Sequence, residues 1–283
     1  MQNTCELCGF VLVDKPRGPS SHEITTYVKK LFNARKAGHA GTLDPKVSGV
    51  MIIGLNKATK LLRFVTKDKK KYVGVMKLHN PPKSIHHVQA VMDKFVGNIS
   101  QIPPKHSAVA KRKRMRQVFT FRALEMDGRK ILFEAQVQAG TYIRNLCVDV
   151  AKSFGGGYMA ELRRTHVAKF SEYDCVSLPY LADSLCECKS LSQIKSLIKP
   201  CEQILTLPVL KVRRNVLEAI CRGLPLAVSG VAFAETRFAT GDYVSLSDDL
   251  GRIIAVGIAN VSSSDLPHVA QETIAVHVKI VLE

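Results

Sequence analysis

The segment "FTFRALEMDGRKILFEAQV" (119–137) sets Asp127-Gly128 between two runs in which apolar and polar residues alternate. Alternation at period two marks a strand with one covered face, and Asp-Gly supplies the positive φ that a tight hairpin turn needs. A hairpin cannot bury its apolar face alone, so the chain must build a wider sheet around it and cover that sheet with helices.

The rest of the pattern supplies both. "FVLVDKP" and "GVMIIGL" (49–55) read as strands, "KKKYVGVMKLH" (69–79) alternates sides from a basic start, and a third approach to the sheet is expected to end at Gly140. Helices are expected in "GPSSHEITTYVKKLFNA", capped by Ser20 or Ser21, and in "ATKLLRFV". Another should lie in "SIHHVQAVMDKFVGNISQ", with Val88, Val91, Met92, Phe95 and Val96 on one face and a stop at Gly97-Asn98. "YIRNLCVDVAKSF" reads as a helix closed by Gly155-Gly156-Gly157. "IPPKHSAVAKRKRMRQV" is neither apolar nor periodic and reads as an extended basic loop. Residues 178–205 form a polar, helical connection, after which one short helix and several short strands with Gly- and Asp-rich turns predict a small β-barrel. The expected architecture is α+β, a mixed, mainly antiparallel sheet with flanking helices over 9–204 and the barrel over 205–283, not a doubly wound sheet.

Lys and Arg number 41 against 24 Asp and Glu, a formal charge of +17, which raises the local concentration of polyanions and points to nucleic acid as the partner. With no Trp, base stacking would fall to Tyr, Phe, His or Arg. The first residues show no secretory signal and no run spans a bilayer, so an intracellular protein is expected, with no membrane. The eight cysteines then read as reduced thiols. Cys5 and Cys8 with Cys186 and Cys188 could offer four thiolates to zinc, but the two spacings do not match each other, and frayed or ordinary thiols are the commoner reading.

"GHAGTLDPKVSG" (38–49) holds one carboxylate, Asp44, before a proline. Such an Asp is usually a turn or a cap. A lone carboxylate cannot run a two-carboxylate hydrolysis, yet it can serve as nucleophile or base where a cation keeps it charged. The longer stretch "GHAGTLDPKVSGVMIIGLNKATKLL" resembles the signature of the TruB and dyskerin family of RNA pseudouridine synthases. Four more stretches resemble the family's motifs in the family's order: "VDKPRGPSSHEI", "KKYVGVMKLH", "AGTYIRNLCVDV" and "ELRRTHV".

The resemblance implies a pseudouridine synthase core followed by a PUA domain, an RNA-binding barrel, and it implies isomerisation of uridine without a cofactor or metal. Residue by residue, Asp44 matches the catalytic aspartate and Tyr72 the tyrosine that stacks on the target base. Arg144 matches the arginine paired with the aspartate, Leu162 the apolar wall of the pocket, His39 a histidine near the flipped nucleotide, and Lys15 a supporting lysine. A base inside a helix must be extruded before such a site can reach it. Lys111, Arg112, Lys113, Arg114 and Arg116 match a loop that grips substrate RNA, against a nuclear localisation signal or a solvated charge run. In the barrel, Lys211, Arg213, Arg214 and Arg222 stand equally for phosphate contacts and for a solvated face. The sequence departs from the family's usual pattern at Ser20, where Thr is more common, and at Tyr158, where many relatives have His.

Lys46-Val47, the "SAV" followed by basic residues, and "LIKPCEQIL" resemble the archaeal and eukaryotic branch that works with box H/ACA guide RNAs. That branch implies rRNA or tRNA as substrate, guide RNA and small accessory proteins as partners, no DNA, and action in the cytoplasm of an archaeon or the nucleolus of a eukaryote. A guide-independent tRNA pseudouridine synthase is the alternative within the class; a non-catalytic RNA-binding scaffold is the alternative outside it.

Overall fold

The structure, a computed structural model, describes residues 7–103, 110, 112–188 and 190–282. The chain opens with β1 (Gly9–Lys15), α1 (Ser21–Leu31), β2 (Ala37–Ala40) and β3 (Ser48–Leu55), then a 3-10 segment (Asn56–Leu61) running into α2 (Leu62–Val65). It continues through β4 (Lys70–Leu78), α3 (Ile85–Met92), β5 (Gly97–Gln101), β6 (Arg114–Asp127) and β7 (Lys130–Val137). After α4 (Ile143–Ala151) come β8 (Gly157–Val167) and the short β9 (Phe170–Ser171), and α5 (Leu178–Glu187), α6 (Leu191–Ser196) and α7 (Cys201–Ile204) form the helical connection.

These strands make one sheet in the order β1-β3-β8-β4-β7-β6-β5, with β2 also on β3 and β9 on β8. Every pairing is antiparallel except β3 with β8, which run parallel through Ser48↔Arg163 and Gly49↔Arg164. The hairpin turns where Asp-Gly sits, with Asp127 opposite Lys130, and Phe121 meets Phe133 edge-on at 5.6 Å beneath it. α1 starts at a reciprocal cap: Ser20 Oγ accepts from Glu23 N (3.2 Å) while Glu23 accepts from Ser20 N (2.7 Å). Its buried Ile24 and Val28 share a core with Val11, Val13, Met51 and Ile53 of β1 and β3.

Three sequence expectations need correction. Gly97, at φ +99°, does end the helical run, but α3 stops at Met92, Val96 is exposed, and 97–101 becomes a strand. The edge of β6 needs a partner for its backbone, and β5 supplies one. The basic loop is partly strand for the same reason: Arg114 and Arg116 lie on β6 opposite Gln101 and Ile99. No third strand reaches Gly140; 138–142 is a turn in which Thr141 bonds back to Gln138 O.

The second unit contains β10 (Val209–Val212), α8 (Leu217–Cys221), β11 (Leu226–Ala227), β12 (Val231–Ala234), β13 (Tyr243–Ser247), β14 (Ile253–Ala259) and β15 (Ile274–Val281). They order as β11-β15-β14-β13-β10-β12, a nearly closed, barrel-like sheet around Leu210, Val244, Leu246, Ala255 and Val276. It is packed onto the first unit. Ile253, Val256, Ile280 and Leu282 join one buried cluster with Phe10, Leu12, Val50, Ile52 and, from the connection, Cys201, Ile204 and Leu205. Phe64 meets Tyr243 edge-on at 5.0 Å, with Arg63 over both rings.

No helix among the described residues is long and apolar enough to cross a membrane. Of the four thiols considered for zinc, Cys5 lies outside the described residues, and Cys8 hydrogen-bonds with Cys201.

Candidate active site

Asp44 sits in the loop between β2 and β3, and its backbone is fastened from both sides. Ser21, the first residue of α1, exchanges two hydrogen bonds with Leu43: its Oγ donates to Leu43 O and accepts from Leu43 N, each at 2.8 Å. Gly18 N donates to Pro45 O (2.9 Å), and Val47 N closes a turn onto Asp44 O (3.0 Å). Beneath the loop the fully buried Lys15 ends its strand with an ammonium that donates to Pro45 O (3.3 Å), Val47 O (2.8 Å) and its neighbour Pro16 O (2.9 Å). Burial pulls the Lys15 pKa down and the charge of Asp44 pushes it back up. A buried cation aimed at the loop thus ties two carbonyls that follow the acid in the chain.

Arg144 reaches the same point from α4, of which it is the second residue, and its guanidinium donates to Asp44 Oδ2. The pair is half-exposed, so one side of the carboxylate is free for a ligand. The start of α4 is held by a residue the sequence reading passed over. The side chain of Gln101, buried at the end of β5, accepts from Tyr142 N (3.0 Å) and donates to Tyr142 O (3.1 Å), while Asn145 donates to Ile102 O (2.8 Å). Gln101 therefore fixes the helix end that carries Arg144. Nothing in the local sequence marks it, because its partner is 41 residues away.

Tyr72 and Leu162 stand on β4 and β8 and belong, with Leu43, Val47 and Ile143, to one buried cluster. Leu43 and Val47 flank Asp44 in the chain and Ile143 precedes Arg144, so the apolar wall and the ion pair share a framework. Gly74 lets the wall close. A β-carbon there would fall 2.7 Å from both Phe133 and Glu161 O and 2.9 Å from Leu162.

His39, on β2, is half-buried, with Nδ1 hydrogen-bonded to Thr25 Oγ1 (2.9 Å) and Nε2 to Thr42 Oγ1 (3.2 Å). Burial, with help from the charge of Arg164, lowers its pKa, which favours the neutral ring. Arg164 is the other residue that the sequence reading left out. It is buried, donating to Val50 O (2.8 Å) and Gly41 O (3.0 Å), and so ties the "GHAGTLD" loop to the joint between β3 and β8. Its place in "ELRRTHV", two residues after Leu162 on an alternating strand, puts it on the same face, which is the one signal that could have found it.

Lys111 is outside the described residues; Arg112 and Lys113 are exposed. Arg114 and Arg116 share a face of β6, and their Nε atoms are buried with no partner among the described residues. Arg116 lies against Gly140, three residues ahead of the start of α4. In the barrel, Lys211 donates to Asp249 O and Arg213 to Val231 O, Arg222 pairs with Glu218, and Arg214 makes no side-chain bond among the described residues.

A single fastened carboxylate with a guanidinium on one side and an apolar wall behind it is a site for one reacting group. Comparison with known proteins decides its class. Residues 29–143 match the TruB family pseudouridylate synthase N-terminal domain, 144–206 the C-terminal domain of tRNA pseudouridylate synthase B, and 208–282 the PUA domain. The probable tRNA pseudouridine synthase B of Archaeoglobus fulgidus is 40% identical over 263 residues, 91% of this chain and 81% of that one. The chain belongs to the TruB and dyskerin family of pseudouridine synthases. The probable tRNA pseudouridine synthase B of Methanopyrus kandleri is 39% identical and covers 97% of this synthase and 82% of itself.

Among solved structures, a Cbf5–Nop10–Gar1 complex matches at TM-score 0.85 and 37% identity, over 96% of this chain and 84% of that one. An H/ACA RNP bound to a substrate RNA containing 2′-deoxyuridine matches at TM-score 0.85 and 35% identity, over 97% and 85%. The synthase is therefore an RNA isomerase of the dyskerin-type branch, with a PUA domain packed on its catalytic sheet.

Proposed function

We propose that this synthase converts chosen uridines of rRNA, with tRNA as a second substrate class, as the catalytic subunit of a box H/ACA guide ribonucleoprotein. The likeness to the Cbf5 complexes carries this reading, because it runs through both units of the chain and not through the catalytic sheet alone. Those solved structures hold Nop10, Gar1 and, in one case, substrate RNA, so small accessory proteins and a guide RNA are the partners proposed here.

In the proposed reaction an extruded uridine enters beside Asp44. The bond from ribose C1′ to N1 breaks, the uracil turns, and C1′ bonds to C5; the C5 proton is released and N1 ends protonated. Asp44 starts this by attacking the nucleotide or by taking a ribose proton. Arg144 orients the carboxylate. Tyr72 supports the base, Leu162 excludes water, His39 borders the nucleotide and Lys15 positions the loop. Arg112, Lys113, Arg114 and Arg116, with Lys111, hold the RNA by its phosphates. We take 9–204 as the catalytic domain and 205–283 as the RNA-binding barrel, acting inside the cell.

The names of the curated relatives favour a second reading, a synthase that modifies tRNA without a guide. Purified protein incubated with bare tRNA, and with guide plus target RNA with and without accessory proteins, separates the two once pseudouridine is mapped. Conversion that requires the guide supports the proposal. Conversion of bare tRNA supports the alternative, and no conversion under any condition leaves an RNA-binding scaffold.

A further inference from the structure

A basic cleft beside the site shares only His39 with the roles above. It opens between α1 and β2 with a volume of about 490 Å³, and its walls include His22, Thr25, Lys29, Arg35, Lys36 and His39. No carboxylate lines it. The one acid between Lys15 and Leu43 is Glu23, and its carboxylate is occupied by the cap of α1 (2.7 Å to Ser20 N). Lys29, Arg35 and Lys36 form no ion pair with any described residue. Three cations on one concave wall, with no counter-charge, are costly to keep together unless an anion lies between them, and a concave shape concentrates their field.

The cleft is joined to the reacting centre through one side chain. His39 lines it, and the ring bonds to Thr25 on one side and to Thr42, two residues before Asp44, on the other. A polyanion lying in the cleft therefore meets the His39 ring that contacts the Asp44 loop. A single-stranded RNA on either side of an extruded nucleotide has this form, a chain of phosphates with no duplex around it.

We propose that the cleft holds the sugar–phosphate backbone of the RNA strand flanking the target uridine, with Lys29, Arg35 and Lys36 on its phosphates. The proposal rests on the reading of Asp44 as the centre of an RNA uridine isomerase. It adds a path for the strand on the α1 side of the site, lined by residues outside the Arg112–Arg116 run.

The test uses the full chain and a single-stranded RNA oligonucleotide carrying one uridine, with binding followed by fluorescence anisotropy across a potassium chloride series. One variant combines Lys29→Ala, Arg35→Ala and Lys36→Ala; a second keeps the charges as Lys29→Arg, Arg35→Lys and Lys36→Arg. The alanine variant should bind at least tenfold more weakly, with a slope of log K against log salt shallower by about 2, since each lost single-strand phosphate contact removes about 0.7. The charge-keeping variant should stay within threefold of the natural protein. In turnover, measured with guide RNA and accessory proteins added, KM for RNA should rise in the alanine variant while kcat at saturation holds. Unchanged affinity and slope would overturn the proposal, as would equal loss in both variants or a fall in kcat at unchanged KM. If the natural protein binds RNA but isomerises nothing even with guide RNA and accessory proteins added, the reading of the site fails, and the binding measurements still decide the cleft.

Discussion

Asp44 is about half exposed, yet the groups that fix it, Lys15, Ser21 and Arg164, are all buried. The acid can therefore be changed with little cost to the fold. Asp44→Ala should abolish pseudouridine formation while RNA affinity and thermal unfolding stay near those of the natural protein; residual turnover in the variant would remove Asp44 from the reaction. Lys70 shows the opposite case, a charge that stresses the fold. Its ammonium is buried under the same loop, donating to Thr66 O (2.9 Å) and Asp68 O (2.8 Å), and burial, with the charge of Arg164 nearby, pulls its pKa from 10.5 to about 8. Between those two values the unfolded chain keeps the proton that the folded chain has lost, so this residue makes stability rise with pH across that window, by up to about 1.4 kcal/mol per pH unit. Urea unfolding of the natural protein minus that of Lys70→Met should thus climb by about 3 kcal/mol from pH 8 to 10.5. Parallel curves for the two proteins would show that Lys70 does not titrate there.

At the scale of elements, the site depends on two joints that local patterning does not show. One is the clamp of Gln101 on Tyr142, which links the end of β5 to the start of α4. Gln101→Leu keeps the volume but removes both hydrogen bonds that this side chain makes to the Tyr142 backbone, at a cost of about 1 kcal/mol each. Arg144 then loses its fixed base, so kcat should fall at least tenfold while RNA affinity holds, measured under single-turnover conditions. Equal kcat in the variant would show that α4 is positioned by packing alone. The other joint is the parallel contact of β3 with β8, where Gly49, at φ +108°, lies so close to Arg164 that a β-carbon would overlap its backbone. The strands and helices themselves were readable from alternation, caps and the Asp-Gly turn. Missing from that reading was β5, because a five-residue strand with mixed polarity acquires its identity only when the free edge of β6 lies beside it. Arg114 and Arg116 left the loop for the same reason.

At the scale of the whole molecule, the barrel is bound to the catalytic sheet by a shared core and by the Arg63, Phe64 and Tyr243 stack. An edge-on aromatic pair and a cation over it contribute about 1–2 kcal/mol together, beyond the area they cover. Tyr243→Ala should lower stability by about 2–3 kcal/mol, the loss of packing included, and should do so in a single unfolding transition because the two units share one core. A second, separate transition would show that the barrel folds independently of the sheet.

The sequence by itself determined the α+β class, the order of most elements, a C-terminal barrel and, through five motif resemblances in order, the family, and it singled out Asp44, Tyr72, Arg144 and Leu162 as candidates for the site. Each of those follows from residues close together in the chain, where periodicity, capping and short motifs act. Only the tertiary structure decided what holds Asp44 in place, how Gln101 fixes Arg144, and that Lys29, Arg35 and Lys36 share one acid-free wall with His39. These are contacts between strand ends and helix starts set side by side by the sheet order, and sequence spacing carries no record of which ends will meet.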